Sequence, residues 1–148
     1  MIVGNGLVAK GFFPFHDQFD DCVVFAAGVS NSKEEEGSPN FLREKLTLVS
    51  ALERYKGLKF LYFSTVLVGF KNNAYYMHKR EMESLVEGYA SSSIIFRVPQ
   101  IVGNTDNKNT LINNLSESIR NGEQISVLRG VKRSIMDIDD VVEIVKYC

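Results

Sequence analysis

Four apolar runs of strand length recur along the chain, at residues 2–3, 23–27, 60–63 and 94–98, each followed at once by small or polar residues. Between them lie segments with helical spacing: 41–55, with Leu42, Leu46, Val49 and Leu52, and Ala74–Tyr89, with Met77, Met82, Leu85 and Val86. Strands alternating with helices predict a mainly parallel α/β sheet covered on both faces. Such sheets bind ligands at the carboxyl ends of their strands. Gly4–Gly6, Ala27-Gly28, Ser64-Thr65 and Pro99-Gln100 all follow predicted strands, so they should line one crevice. Beyond them, Leu111–Arg120 reads as a helix, residues 125–128 as a short strand, and a last helix opens at the acidic turn of Asp137, Asp139 and Asp140. The charged stretch Lys33-Glu34-Glu35-Glu36 reads as a solvated loop.

The first of these junctions carries a glycine pattern. Gly4-Asn5-Gly6-Leu7-Val8-Ala9 fits G-x-G-x-x-G/A. Glycine at the first two positions permits a tight turn and lets backbone approach a pyrophosphate, and a small third residue lets the next helix close on the sheet. An acidic residue to hold the ribose is expected about 20 residues later, at a strand end. Asp20 and Asp21 fall near that distance but directly precede the apolar run at 23–27, at the wrong end of a strand. Ala9 to Asp20 is too short for a helix, a strand and a second helix. The adenosine half of a dinucleotide site is therefore absent or heavily reduced.

Tyr75 and Lys79 stand four apart on a predicted helix, so both side chains can face one site. A nearby ammonium favours phenolate and should draw the tyrosine pKa down toward neutral, and an adjacent hydroxyl, from Ser64 or Thr65, can hold a substrate oxygen. That equipment moves a proton. Tyr76 competes with Tyr75 but has Arg80 as its i+4 partner. His78 is expected on another helix face at the surface, and His16 in a loop. Arg97 reads as a structural anchor. Arg133 could bind phosphate bidentately or simply be solvated. Residues 104–110 form a polar loop at a strand end.

Composition narrows the partners. The 148 residues carry a net charge of −1 with pI ≈ 6.1, and no basic stripe marks a nucleic-acid surface. The apolar runs are far too short to span a membrane, and Gly4-Asn5-Gly6 interrupts any signal-peptide core. Cys22 and Cys148 make neither a metal spacing nor a disulfide framework, so no metal site is expected and a reduced, cytoplasmic setting is.

In order along nearly the whole chain, these segments resemble the extended short-chain dehydrogenase/reductase superfamily, particularly its NAD-dependent epimerase/dehydratase group. Gly4–Ala9 resembles the cofactor loop. Asp21-Cys22-Val23-Val24-Phe25-Ala26-Ala27-Gly28 resembles the Asp-x-Val-x-His-x-Ala-Ala segment beside the cofactor. Phe63-Ser64-Thr65-Val66-Leu67-Val68 resembles the active-site strand end, and Tyr75–Lys79 the catalytic Tyr-x-x-x-Lys. Phe96-Arg97-Val98-Pro99-Gln100-Ile101-Val102-Gly103 resembles Arg-x-Pro-x-x-x-Gly. Arg133-Ser134-Ile135-Met136-Asp137-Ile138-Asp139-Asp140 resembles the Arg-x-x-Ile-x-Val-x-Asp segment near the substrate diphosphate.

The resemblance implies a single Rossmann-like, doubly wound NAD(P)-binding domain over 1–148, missing strands in its adenosine half, with a vestigial substrate portion around 100–136. It implies Tyr75 as general acid/base and Lys79 as the residue that lowers its pKa and holds the nicotinamide ribose. Thr65, favoured by the wording Ser-Thr-Val-x-Val, or Ser64 would orient the substrate oxygen. NAD or NADP would lie against Gly4, Asn5, Gly6, Leu7, Ala26, Ala27, Gly28, Lys79 and Pro99, with Gln100 and Arg133 toward a nucleotide-linked sugar. The loop from Thr65 to Tyr75 is shorter than in the family. Two readings follow: an NAD(P)-dependent epimerase, dehydratase or reductase of a nucleotide sugar, or a non-catalytic descendant serving surface-polysaccharide assembly. A sheet this short of strands should leave apolar faces exposed, and a homodimer is the expected way to cover them.

Overall fold

The computed structural model describes residues 1–105, 110–127 and 129–148. Its main sheet has four parallel strands in sequence order: β1 (Ile2–Val3), β2 (Cys22–Phe25), β3 (Lys59–Thr65) and β4 (Ser92–Val98). Parallel neighbours need crossover connections. These are supplied by α1 (Leu7–Phe12) with the 3₁₀ turn Phe13–Phe19, by α2 (Pro39–Arg54) and by α3 (Ala74–Tyr89). A second, two-stranded parallel sheet joins β5 (Gln100–Val102) to β6 (Ile135–Asp137), and between them lies α4 (Leu111–Arg120). The last helix, α5, is Ile138–Lys146.

Strand alternation divides the core into two layers. Leu61 and Phe63 point to one face and pack with Phe12, Phe19, Val24, Val141, Val142 and Val145 from β2, α5 and the α1 segment. Phe60 and Tyr62 point to the other and pack with Val23, Phe25, Leu48, Leu52, Met82 and Val86 from β2, α2 and α3. Helices thus cover both faces of a Rossmann-like α/β sheet. Between β1 and β2 the chain makes one short helix and a 3₁₀ segment kinked at Phe15, so the two strands missing from the sequence are missing from the sheet. Asp20 and Asp21 directly precede β2, at the wrong end of the strand to hold a ribose.

Capping explains where the helices start. Ser38 accepts a hydrogen bond from the backbone of Asn40 ahead of Pro39 at the first turn, and Asn73 does the same for Tyr76. The Ser38–Pro39 start opens α2 two residues before the apolar spacing begins. Past its end, Gly57 adopts φ +99°, a region that favours glycine.

Several expectations are corrected. Residues 125–127 form no strand, and Leu128 lies outside the described residues; the chain pairs through β5 and β6 instead. Helix α2 does not bury Leu42 and Leu46, which are exposed; its inner stripe is Glu44, Leu48, Ala51 and Leu52. Met77 of α3 is likewise exposed, and His78 is buried. Part of the polar loop 104–110 lies outside the described residues.

Candidate active site

Helix α3 faces inward along Tyr75, His78, Lys79, Met82, Glu83 and Val86, the i, i+3, i+4 stripe of a helix laid on a sheet. Its lower part is hydrophobic and held to β4 by a bidentate pair: Arg97 Nε and Nη2 donate to Glu83 Oε1 and Oε2 at 3.1 and 2.7 Å. Arg97 is therefore an anchor, as expected. The upper part of the stripe is polar.

There the sequence reading missed the central group. Glu44 of α2 is completely buried, and its carboxylate is saturated. Oε1 accepts from Lys79 Nζ at 2.9 Å and from the Tyr62 hydroxyl at 2.8 Å. Oε2 accepts from the Val29 backbone N–H at 2.7 Å and contacts His78 Nε2 at 3.1 Å. Lys79 also donates to the Tyr62 hydroxyl at 3.3 Å. Phe41 stacks on the His78 ring at a centroid distance of 4.4 Å. His78 is thus a wall of the site rather than a surface residue. A signal was present, because His78 is i+3 from Tyr75 and i−4 from Met82.

These contacts set the charges. Burial would raise the Glu44 carboxyl, but the His78 contact, the Lys79 charge and the Val29 hydrogen bond outweigh it and hold the pKa down at about 2. Burial, reinforced by the Glu44 carboxylate, pushes the Tyr62 hydroxyl well up. The same two causes push Tyr75 up from its ordinary value. The expectation that Lys79 draws Tyr75 toward neutral is therefore corrected for this state: the ammonium is spent on Glu44, and Tyr75 is nearly enclosed. Lys79 Nζ lies 5.9 Å from the Tyr75 ring centroid.

Glu44 gives a testable pH dependence. Its folded pKa lies below its usual value of 4.5, so its stabilisation is present above pH 4.5 and is lost as pH falls through about 2. Across that window the native state should lose about 3 kcal/mol attributable to this one carboxyl. Denaturant melts from pH 6 downward check this; Glu44→Gln should flatten the slope, and an unchanged slope would disprove the assignment.

The backbone around this cluster is tightly fitted. A Cβ on Gly28 would sit 2.6 Å from Lys79 Nζ and 3.1 Å from Glu44 Oε1. Gly4 has φ +132°, and a Cβ there would meet the Ala26 carbonyl oxygen at 2.5 Å. Gly4, Ala26–Gly28 and Lys79 are thus contiguous. Gly6 caps α1 with open space around it, followed by Leu7, while Asn5 bridges the two glycines. Arg43 donates to the Ala27 carbonyl at 3.3 Å. On β3, Ser64 is buried and its Oγ has no hydrogen-bond partner, whereas Thr65 Oγ1 accepts from the Leu67 N–H at 3.4 Å. Alternation puts Ser64 on the Tyr62 face, the face that carries Lys79, and Thr65 on the opposite one.

The remaining candidates lie beyond β4. Pro99 lines a cavity of about 150 Å³ with Met136, Val141, Ile144 and Val145. Gln100 opens β5, pairing with Ile135 of β6 and donating its backbone N–H to the Ser134 carbonyl at 3.3 Å, which puts it near the exposed Arg133. A larger groove of about 400 Å³, lined by Val3, Leu46, Thr47, Ser50, Ala51, Arg54 and Tyr55, opens at the free edge of β1 and contains none of these candidates. Among the described residues, no group of His, Cys, Asp and Glu could hold a metal ion, and no helix is long and apolar enough to cross a membrane.

Residues 11–148 match the NAD dependent epimerase/dehydratase family. The chain belongs to that family. The match starts after the glycine loop, so Gly4–Leu7 rest on the fold alone. The structure is similar to the capsular polysaccharide assembling protein CapF from Staphylococcus aureus, with TM-score 0.68 and 23% identity, over 98% of this chain and 47% of that one. It is also similar to the Bordetella bronchiseptica enzyme WbmH, solved in complex with NAD+, with TM-score 0.65 and 19% identity, over 94% of this chain and 52% of that one. The chain therefore spans about half the length of these solved structures. No curated protein matches it.

Proposed function

We propose that this family member is an NAD(P)-dependent epimerase, dehydratase or reductase of a nucleotide-linked sugar, with Tyr75 as its proton carrier. The observation that carries the reading is contiguity: the backbone of Gly4 abuts Ala26, Gly28 abuts Lys79, and Lys79 stands under the Tyr75 ring. The neighbour described with NAD+ supports the cofactor, and the one described as a capsular polysaccharide assembling protein supports the saccharide substrate class.

The residues present fit the nicotinamide end of a dinucleotide. Gly4, Asn5, Gly6 and Leu7 would take the pyrophosphate, Ala26–Gly28 the adjacent stretch, and Lys79 the nicotinamide ribose. Pro99 would approach the ring from the end of β4. Among the described residues, neither the turn after β1, Gly4-Asn5-Gly6, nor the turn after β2, Ala26-Ala27-Gly28-Val29, carries an acid for the ribose, so affinity for the adenosine half should be low. When bound, the nicotinamide supplies the hydride donor or acceptor.

The chain's own residues supply the rest. Lys79 has three N–H donors, and Glu44 and Tyr62 take two of them. The third is left for a ribose hydroxyl or for Tyr75. Tyr75 would exchange its proton with a sugar hydroxyl or carbonyl oxygen. Ser64, with its buried and unpartnered Oγ, is favoured over Thr65 to hold that oxygen. Gln100 and Arg133, close on β5 and before β6, would face the nucleotide diphosphate.

The alternative is a non-catalytic binding or scaffold subunit in surface-polysaccharide biosynthesis. One observation favours it: Lys79 is committed to a buried carboxylate and Tyr75 is held protonated. Incubation with NAD(H) or NADP(H) and a panel of nucleotide sugars, read by nicotinamide absorbance and mass spectrometry, decides between them. Cofactor-dependent conversion of a sugar is expected. Cofactor binding with no conversion across the panel would move the assignment to the scaffold reading.

A further inference from the structure

We propose that Glu44 is a positioning residue for Lys79: it fixes the ammonium against Gly28 and offsets its charge toward Tyr75. The inference deepens the functional reading above and rests on it for its catalytic meaning, but not for its physical test. Four donors converge on one carboxylate, from the loop after β2 (Val29), from β3 (Tyr62) and from α3 (His78 and Lys79). Such saturation orients the Glu44 carboxylate, and Lys79 Nζ is held on its Oε1 and on the Tyr62 hydroxyl. Tyr75 is raised by burial first, then by this carboxylate, and then by the adjacent Tyr76 packed edge-on against its ring. On α2 itself the flanking cations point elsewhere: Arg43 to the Ala27 carbonyl, and Lys45 to Glu81 at 2.6 Å. Lys79 is thus the cation that Glu44 balances, and the Gly28 backbone closes the remaining side.

The consequence is a choice of charge state at the site. With Glu44 ionised, the Lys79 ammonium is balanced and Tyr75 keeps its proton. Without that carboxylate, burial still holds the proton, but the ammonium is no longer opposed and phenolate becomes less costly.

The test is tyrosine ionisation followed by ultraviolet difference absorbance, with no cofactor or substrate added. In the native protein, Tyr75 should stay protonated between about pH 8 and 11. Glu44→Gln should shift the ionisation of one tyrosine to lower pH than in the native protein, and Glu44→Gln with Tyr75→Phe should abolish that shift. Glu44→Asp, which keeps the charge, should behave as the native protein does. A folded Glu44→Gln variant with an unchanged titration would overturn the proposal, as would a shift that survives Tyr75→Phe and so belongs to another tyrosine, Tyr62 or Tyr76 among them. A purely structural role predicts lower melting temperatures for both Glu44 variants and no change in ionisation.

If Glu44→Gln does not fold, the double variant Glu44→Gln with Lys79→Met serves. Removing both charges together should give a protein that melts higher than Lys79→Met alone. A double variant no more stable than Lys79→Met would show that the two residues are not a balanced pair and would overturn the proposal. Because these measurements need no ligand, they can fail while cofactor binding succeeds, and the reverse.

Discussion

Replacing Tyr75 with phenylalanine should lower turnover by about 10²-fold or more while leaving cofactor affinity close to native. The ring is buried against Tyr76 and the Val29 side of the site, and phenylalanine keeps that packing. Only the hydroxyl goes, and it makes no hydrogen bond among the described residues, so no buried partner is orphaned. The effect should therefore fall on kcat. Steady-state kinetics on a converted nucleotide sugar, with nicotinamide fluorescence for affinity, would check this. Normal turnover would remove Tyr75 from the mechanism.

Lys79→Met should be costlier to the fold than any substitution of an exposed residue. Methionine matches the length of the lysine stem but leaves Glu44 ionised, buried and short of its cation. Breaking a buried pair in this way costs about 3–5 kcal/mol, most of it the penalty of the uncompensated charge. The Tyr62, His78 and Val29 contacts remain and place the result toward the lower end. Chemical denaturation should show the loss at pH 7 and a smaller one at low pH, where Glu44 can take up a proton. Cofactor affinity should fall as well. A loss of stability equal at both pH values would mean that the pair contributes through packing rather than charge.

The sheet was legible because its signals are local. Runs such as Phe60–Leu61–Tyr62–Phe63 are apolar on both faces, as a strand covered on both sides must be. The shared inward face of Tyr75 and Lys79 was legible for the same reason, since they lie one helical turn apart. Glu44 was not, because its four partners come from 15 to 35 positions away in sequence and meet only in three dimensions. A glutamate in the lysine- and arginine-rich segment Arg43-Glu44-Lys45 reads as a solvated charge. Its register with Leu48 and Leu52 was the clue, and it was hidden by the competing stripe of Leu42 and Leu46, which the fold leaves exposed. The pairing of β5 with β6 was hidden in the same way, since two three-residue strands far apart in sequence have too few residues to show a period.

The missing strands have a consequence for binding. On the proposed reading, with β1 an edge strand, a nicotinamide half-site would lie next to an incomplete adenosine half-site. The account therefore requires recognition weighted toward Gly4–Gly6, Ala26–Gly28 and Lys79. Titration of the protein with NADH and NADPH, followed by nicotinamide fluorescence, tests this most directly. The prediction is saturable binding with a dissociation constant between micromolar and millimolar, retained in Tyr75→Phe and weakened in Lys79→Met. No change in fluorescence up to millimolar cofactor would contradict it.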